Sequence, residues 1–424
     1  MALASGSLPM DDAQKRLAYV AIRYSAAAVV ALETILFSRA LGPERFGPFA
    51  LTLQVSTLLT FVGFGAASGY AVEYFRDDDQ QRRASVDDEY LSVAPLQHVS
   101  GAAAVGVVLA VAWPTLLPGV ALFVIQIPYL VVEPMLRVRG RFAAATVARL
   151  AGPAASIMCG GAVWLMTRRS PWVVEYCLAA SIAGNVLGYG ATYVWLRRQA
   201  IRFRAAALRR SLRPYWLRIL RPGIPLNVSA VSFLLYTYVD RLALRRLQAA
   251  SELSSYSLAW QLAQGGALLL ASLNVVSGVR VGEAAAAGDT VSLRRLMVRQ
   301  LMVNAWAGLV VVGGVVIATV GLHRTLFRDF VGLIPLVALF SLGLAAYNVA
   351  GSVTCLLFYR KRAGVLNLTY AAVLVAAILA NTLFRGALGG RVFPVASVGI
   401  ATLIAGSIFL IFRSFAEARG EVAT

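Results

Sequence analysis

Lysine is nearly missing from this 424-residue chain: Lys15 and Lys361 are the only two. Acids are also sparse, and Asp, Glu, Lys and Arg together fill only 14% of positions, where a soluble domain carries roughly 25%. A chain so short of charge cannot clothe a water-exposed surface of its size. The scarcity of lysine also excludes a nucleotide-binding P-loop, because neither Lys15 nor Lys361 stands in the Gly-rich setting that cradles phosphate. Histidine is limited to His98 and His323, far apart, and Cys159, Cys177 and Cys355 each sit alone in apolar stretches. No metal-ligand spacing, histidine-based triad or disulfide framework can be assembled from them. No cofactor and no resident metal are expected, and no enzyme chemistry is visible. The first residues include Asp11 and Asp12, with neither a basic region nor a small-residue cleavage site, so the first apolar run is expected to remain in the product.

What is abundant is apolar surface and arginine. Hydrophobic residues make up 59% of the chain, and its formal net charge of +19 is almost wholly guanidinium. Such basicity can signal nucleic acid, but these arginines are distributed between apolar runs, the pattern of loops that fix membrane orientation. Nucleic acid is therefore not an expected partner, and the chain reads as an all-α polytopic membrane protein.

Cutting the sequence at charged or Pro/Gly-rich punctuation gives twelve segments of about the ~20 residues that span a bilayer core. They run over 17–41, 46–74, 91–112, 115–137, 142–167, 172–196, 223–247, 253–280, 296–321, 331–358, 363–384 and 393–412. The division inside "AWPTLLPG" (112–119) rests on two prolines alone. With the amino terminus on the cytoplasmic side, the inner regions hold 26 Lys and Arg and the outer regions 11. The positive-inside rule then places both termini in the cytoplasm of a bacterial inner-membrane protein. All outer loops are short, leaving no room for an extracytoplasmic domain.

The stretch "LRRQAIRFRAAALRRSLRPYWLRILRPG" (196–223) has nine arginines and no acid. Ile201, Phe203, Leu208, Leu212, Trp216 and Leu220 recur in it at roughly helical spacing. It reads either as a basic amphipathic helix on anionic inner-leaflet lipids or as a plain positive-inside linker. On either reading it divides the chain into an amino-terminal lobe (1–196), a linker (197–222) and a carboxyl-terminal lobe (223–424). Ser68-Gly69 and Ser277-Gly278, 209 residues apart and followed by Glu73 and Glu283, hint at a repeat between two lobes related by an axis along the membrane normal.

Charges inside spans cost roughly 2.5–3.5 kcal/mol each on insertion scales, so they face a cavity or a partner. Arg23 lies six and Arg149 seven residues inside their spans, and a shared interior would point two guanidiniums at an anion. Glu33, ten residues beyond Arg23, cannot pair with it within one helix. It must find a basic residue elsewhere, take up a proton or hold a cation. Glu133 and Arg137, at i and i+4, read as a local pair. The amides Asn227, Asn274, Asn304, Asn348, Asn367 and Asn381 read chiefly as interhelical hydrogen-bond partners, Gly65 and Gly69 as a packing face, and His98 as a buried polar residue.

"FSRALGPERFGPFALTLQVSTLLTFVGFGAASGYAVEYFR" (37–76) resembles the first hairpin of bacterial polysaccharide and O-antigen flippases, members of the multidrug/oligosaccharidyl-lipid/polysaccharide exporter superfamily. It carries a Leu-Gly turn and an acid (Leu41, Gly42, Glu44) ahead of an aromatic-Gly pair (Phe46-Gly47). "GIPLNVSAVSFLLYTYVDRLALRRLQAASELSSYSLAWQLAQ" (223–264) looks like the seventh and eighth helices of that family, with Asp240-Arg241 near the outer end. The resemblance implies export of an undecaprenyl-pyrophosphate-linked oligosaccharide for polysaccharide biosynthesis, by alternating access between two six-helix lobes around a central cavity. It implies coupling to H+ or Na+ and a polysaccharide polymerase as partner. Arg23 and Arg149 are the positions that match cavity arginines meeting the pyrophosphate. Glu33, Asp240 and Arg241 are assigned to ion coupling or gating. Where many members carry a proline this chain has Val279-Arg280, so Arg280 is either a loop charge or a residue of the inner mouth. A multidrug or small-cation exporter of the same superfamily, which would favour acidic pockets, is one alternative. A polytopic polysaccharide polymerase or ligase, which would need a large outer loop, is the other.

Overall fold

The computed structural model describes residues 12–74, 79–139, 141–167, 170–198, 207–246, 250–286, 288–360, 362–383 and 392–420. Among them the secondary structure is helical, without a strand. Nine helical stretches among the described residues are long and apolar enough to cross a membrane by length and composition. The chain is a multi-pass membrane protein, and every one of the twelve segments read from the sequence falls on a helix.

Helix α1 (Asp12–Leu58) carries the first two crossings, turned at Gly42, whose left-handed φ of 71° admits the tight corner before Pro43. The second crossing continues through a 3-10 turn (Leu59–Gly63) into α2 (Ala66–Tyr74). The break lies at Phe64 and Gly65, both at positive φ (40° and 82°). Helices α3 (Gln80–Ala112), α4 (Leu117–Val138), α5 (Phe142–Thr167) and α6 (Val173–Arg198) follow. Helix α3 starts eleven residues before the expected 91, because Asp79 caps it through the Gln81 amide and its polar first turns stand clear of the apolar stretch. The 3-10 turn Pro114–Leu116 joins α3 to α4, as the two prolines require.

Residues 199–206 lie outside the described residues, and with them Ile201 and Phe203. After them α7 (Leu208–Pro214) runs through a π-helical turn (Tyr215–Leu220) into α8 (Arg221–Arg246), so no helix end falls at 222. The run docks on α3: the Tyr215 hydroxyl donates to Gln97 at 2.5 Å and Arg218 pairs with Glu89 at 3.2 Å. Tyr215 and Ile219 are buried while Leu212, Trp216 and Leu217 are exposed. The amphipathic period is present, and its apolar side is divided between protein and surroundings. Helices α9 (Ala250–Ala286), α10 (Thr290–Thr325), α11 (Leu333–Tyr359), α12 (Ala363–Leu383) and α13 (Val392–Arg419) complete the chain.

Two ends of the bundle can be told apart by contacts. At the terminal face, where α1 begins and α13 ends, Arg82 pairs with Glu73 at 2.9 Å, Arg139 pairs with Asp87, and Glu417 sits between Arg362 and Arg413 at 3.7 and 3.8 Å. At the opposite face the first half meets the second. The Gly47 amide donates to Ser254 Oγ at 2.6 Å, the Phe46 and Phe330 rings meet edge to face, and Arg245 donates to Thr115. Gly47 permits this: a Cβ there would stand 2.8 Å from the Ser254 backbone nitrogen. Nearer the terminal face, Gly65 packs against Gly223 of α8, and a Cβ on Gly69 would fall 1.8 Å from the Ile219 carbonyl oxygen in the π-helical turn before it. The small-residue face read from the sequence is a packing face.

Candidate functional site

Glu33 comes from the first leg of α1, nine residues before the Gly42 corner and so about 14 Å below it at 1.5 Å per residue. Its carboxylate accepts the Ser156 hydroxyl at 2.7 Å, and Ser156 belongs to α5. Arg149 stands seven residues earlier on that helix, two turns away and therefore on the same side. Both Glu33 and Arg149 line a cavity of about 360 Å³ within the first half of the chain. Its walls come from α1, the 3-10 turn that follows it, α4, α5 and α6, and among the described residues Gln261 of α9 is the one lining residue from the second half. Glu33 and Arg149 thus stand at one hollow, and the carboxylate accepts from a hydroxyl of a neighbouring helix.

Between Glu33 and the terminal face the cavity turns aromatic and polar. Tyr129 of α4 and Tyr189 of α6 stack with ring centroids 5.6 Å apart. Helices α5 and α6 close up through glycines: a Cβ on Gly152 would fall 2.2 Å from the Tyr189 ring, and one on Gly188 would fall 2.1 Å from the Ala151 carbonyl. Arg149 is therefore one turn from a close helix contact that fixes the wall around it. Glu133 and Arg137 pair within α4, as their spacing predicts, and both line the same cavity. A second hollow of about 220 Å³ shares Thr60, Leu130 and Glu133 with the first. It extends past the break in the second crossing to Asn227 of α8.

The side chains of Arg23 and Arg280 lie outside the described residues, as do those of Ser277 and Glu283, so the proposed repeat has no structural counterpart to compare. Asp240 and Arg241 are buried in α8 near the opposite face and line neither hollow. Asp240 accepts from the Tyr256 hydroxyl and from Asn381 Nδ2. The Arg241 guanidinium sits 5.3 Å from the centroids of Tyr238 and Trp260 and 5.9 Å from that of Tyr256, an aromatic cage held by ring-face attraction. Its Nε and Nη2 have no hydrogen-bond partner among the described residues. The Tyr238 hydroxyl reaches across to the Gln54 carbonyl oxygen of α1 at 2.6 Å, so the cage adjoins the seam between the halves.

Two residues escaped the sequence reading. Gln54 of α1 and Gln261 of α9 both line the larger cavity, and the side-chain oxygen of each is buried without a partner among the described residues. A buried acceptor left unpaired costs about 1–3 kcal/mol, so such groups wait for a ligand or water. The signal in the sequence was only a glutamine within an apolar run.

His98 is buried, its ring nitrogen 2.7 Å from the Ala94 carbonyl oxygen of its own helix and its ring against Gly63. All three cysteines are free thiols. Among the described residues no group of three His, Cys, Asp or Glu is placed to hold a metal.

No protein-family model matches the chain, and no curated protein matches its sequence. Solved structures do match its fold. An inward-facing multidrug resistance MATE family transporter of the MOP superfamily superposes with a TM-score of 0.71 at 13% identity, covering 95% of this chain and 100% of that one. The lipid II flippase MurJ in an inward closed conformation gives 0.66 at 12% identity, over 95% of this chain and 90% of that one. An outward-facing MATE family transporter of the MOP superfamily gives 0.64 at 14% identity, over 97% and 96%. At these identities the likeness is one of fold, extending over nearly the whole of each chain.

Proposed function

We propose that this protein is a flippase that moves an undecaprenyl-pyrophosphate-linked oligosaccharide across the bacterial inner membrane for polysaccharide biosynthesis. The observation that carries the reading is Arg149 at a polar, tyrosine-walled hollow inside the membrane. A guanidinium there is costly to keep and suits bidentate contact with phosphate. The stacked tyrosines and neutral amides around it suit the faces and hydroxyls of sugars. The MurJ-like fold, in a protein named for lipid II, supports a lipid-linked cargo, and the short loops support transport over polymerisation.

In this proposal the terminal face is cytoplasmic, following the excess of arginine there. The closed seam at Gly47 and Ser254 then seals the outer side, and cargo enters from within. Arg149, with Arg23 as its companion on α1, receives the pyrophosphate. Glu33 handles the coupling ion, and Asp240 and Arg241 govern the seam. Arg280 belongs to the inner mouth. Alternation exchanges the outer seam for an inner one, the two lobes rocking about the cavity.

Flux of a fluorescent lipid-linked oligosaccharide into vesicles carrying purified protein is the test. Arg149→Ala is predicted to lower flux on the order of 100-fold at subsaturating cargo, the loss of about 3 kcal/mol from one charged contact. Wild-type flux from that variant would overturn the assignment. Glu33→Gln is predicted to leave cargo binding intact while removing the dependence of flux on an ion gradient.

A second reading, export of small organic cations, is favoured by one observation, the Glu33 carboxylate in the same hollow. Competition separates the two: cationic dyes would inhibit flux under that reading, and soluble pyrophosphate-linked sugars would inhibit it under ours.

A further inference from the structure

We infer that the second hollow, between the break in the second crossing and α8, is the subsite for the first sugar ring of the cargo, a neutral, hydroxyl-bearing group. The inference rests on the flippase reading above and gives the glycan end of such a cargo its place. The hollow encloses about 220 Å³, the share of roughly seven waters at ~30 Å³ each. It shares Thr60, Leu130 and Glu133 with the cavity that Arg149 lines, so a ring seated in it adjoins a phosphate at Arg149.

The break sets its level in the membrane. Phe64 stands eighteen residues past Phe46 at the seam, about 27 Å at 1.5 Å per residue and so near the terminal-side margin of a ~30 Å core. Irregular backbone at that level is tolerated where it is buried in protein or borders a polar cavity. Gly63, Gly65 and Ala66 border this one. A Cβ on Gly63 would fall 2.9 Å from His98 Nε2, so the bare backbone there makes room for the imidazole.

Three polar side chains that line the hollow have hydrogen-bonding capacity left over. His98 of α3 is 6% exposed, and its Nδ1 lies 2.7 Å from the Ala94 carbonyl oxygen, which can only accept. Nδ1 therefore carries the proton, and Nε2 of the neutral ring is an acceptor that no described residue bonds. Tyr90, two turns earlier in α3, is buried, and its hydroxyl has no hydrogen bond to a described residue. The Asn227 amide of α8, expected from the sequence to tie helices together, bonds to no described residue either. Buried polar groups that the protein leaves unpaired call for a ligand or for water.

The character of the set selects the ligand. Among the described residues no guanidinium lines this hollow, and its one carboxylate, Glu133, is paired with Arg137, so it suits neither a free anion nor a cation. An acceptor, a hydroxyl and an amide match the hydroxyls of a sugar, each of which donates and accepts at once. Phe61 adds aromatic surface for the C–H face of the ring.

Two lipids isolate the subsite: undecaprenyl pyrophosphate alone, and the same carrier bearing a single hexose. Binding of each to the full chain in nanodiscs is measured for wild type, for the double variant Tyr90→Phe, Asn227→Leu, and for Arg149→Ala. Both replacements in the double variant nearly conserve shape and remove groups that no described residue bonds, so the fold is kept. One hydrogen bond is worth about fivefold, so the double variant should bind the glycosylated lipid on the order of 20-fold more weakly and the bare carrier within twofold of wild type. Arg149→Ala should weaken both lipids alike. Histidine supplies a second readout, because the chain has only His98 and His323. With isotope-labelled histidine, the glycosylated lipid should shift the His98 Nε2 resonance and the bare carrier should leave it in place, His323→Gln assigning the two rings. Equal weakening of both lipids or no weakening in the double variant, or an unmoved His98 resonance with the glycosylated lipid bound, would overturn the subsite and leave the flippase reading standing. A wild-type chain that binds neither lipid would overturn that reading, and the subsite with it.

Discussion

The two halves of this chain handle their buried polar groups in opposite ways. In the second half they face each other: Asn304 donates to the Asn274 side chain at 2.9 Å, Asn274 donates to the Asn348 carbonyl oxygen at 2.7 Å, and Asn367 donates to Pro225 O at 2.8 Å. These bonds tie α10, α9 and α11 together and fasten α12 to α8. Beside them the Phe233 and Tyr347 rings stack with centroids 4.1 Å apart, and Tyr370 meets both edge to face. In the first half the polar side chains of α1, α4, α5 and α6 surround a hollow. Membrane interiors reward a polar group only when it is paired or functional. On the proposed reading the first half receives the cargo, and the second is the braced body against which it closes. The crossings that meet at the seam differ likewise: α9 runs unbroken from Ala250 to Ala286, whereas the second crossing breaks at Phe64 and Gly65.

The largest way to disturb this contrast is at the seam. Gly47→Val sets a branched side chain against the Ser254 backbone, with a Cβ already inside van der Waals contact. Overpacking of this kind costs about 1–3 kcal/mol, enough to shift a two-state equilibrium about 5- to 150-fold. We predict that cysteines placed along the cavity become accessible to a membrane-impermeant thiol reagent from the opposite face. Unchanged accessibility would mean that the seam is not the closure.

A middle-sized effect belongs to the unpaired glutamines. Replacing Gln261 by Leu removes a buried acceptor without a partner, so the cargo-free protein should gain about 1 kcal/mol of stability, read as a higher melting temperature, while flux falls. A loss of both stability and flux would instead show that Gln261 is already satisfied by water. The smallest effect is expected in the braced half. Asn304→Ala removes one interhelical hydrogen bond, worth about 0.6 kcal/mol on average in a membrane, and should leave flux within twofold of wild type. Abolished flux at near-normal stability would break the contrast between the halves.

Much of the architecture was legible because a bilayer imposes one length on every crossing. The twelve segments fall on helices, and even the uncharged turn at 113–116 was marked by its prolines. Helix ends beyond the membrane were less legible, since neither the early start of α3 nor the uninterrupted passage from α7 into α8 is dictated by hydropathy. At the candidate site, Glu33 and Arg149 were legible because an ionised group in an apolar run is conspicuous by cost alone. The i,i+4 pair of Glu133 and Arg137 followed from helix geometry. Gln54 and Gln261 were not legible, because an amide in a span more often serves packing and only tertiary structure shows that its oxygen goes unpaired. The Arg241 cage was equally hidden: Tyr238, Trp260 and Tyr256 come from two helices whose approach no local spacing reveals.

The most direct measurement is photo-crosslinking with a diazirine-bearing polyprenyl-pyrophosphate sugar, followed by mapping of the labelled peptides. If the first half receives the cargo, labels will concentrate on the walls around Arg149, in α1, α4, α5 and α6, and will fade when soluble pyrophosphate-linked sugar is added in excess. Labels gathered on α10 to α13, undiminished by that competitor, would contradict the account.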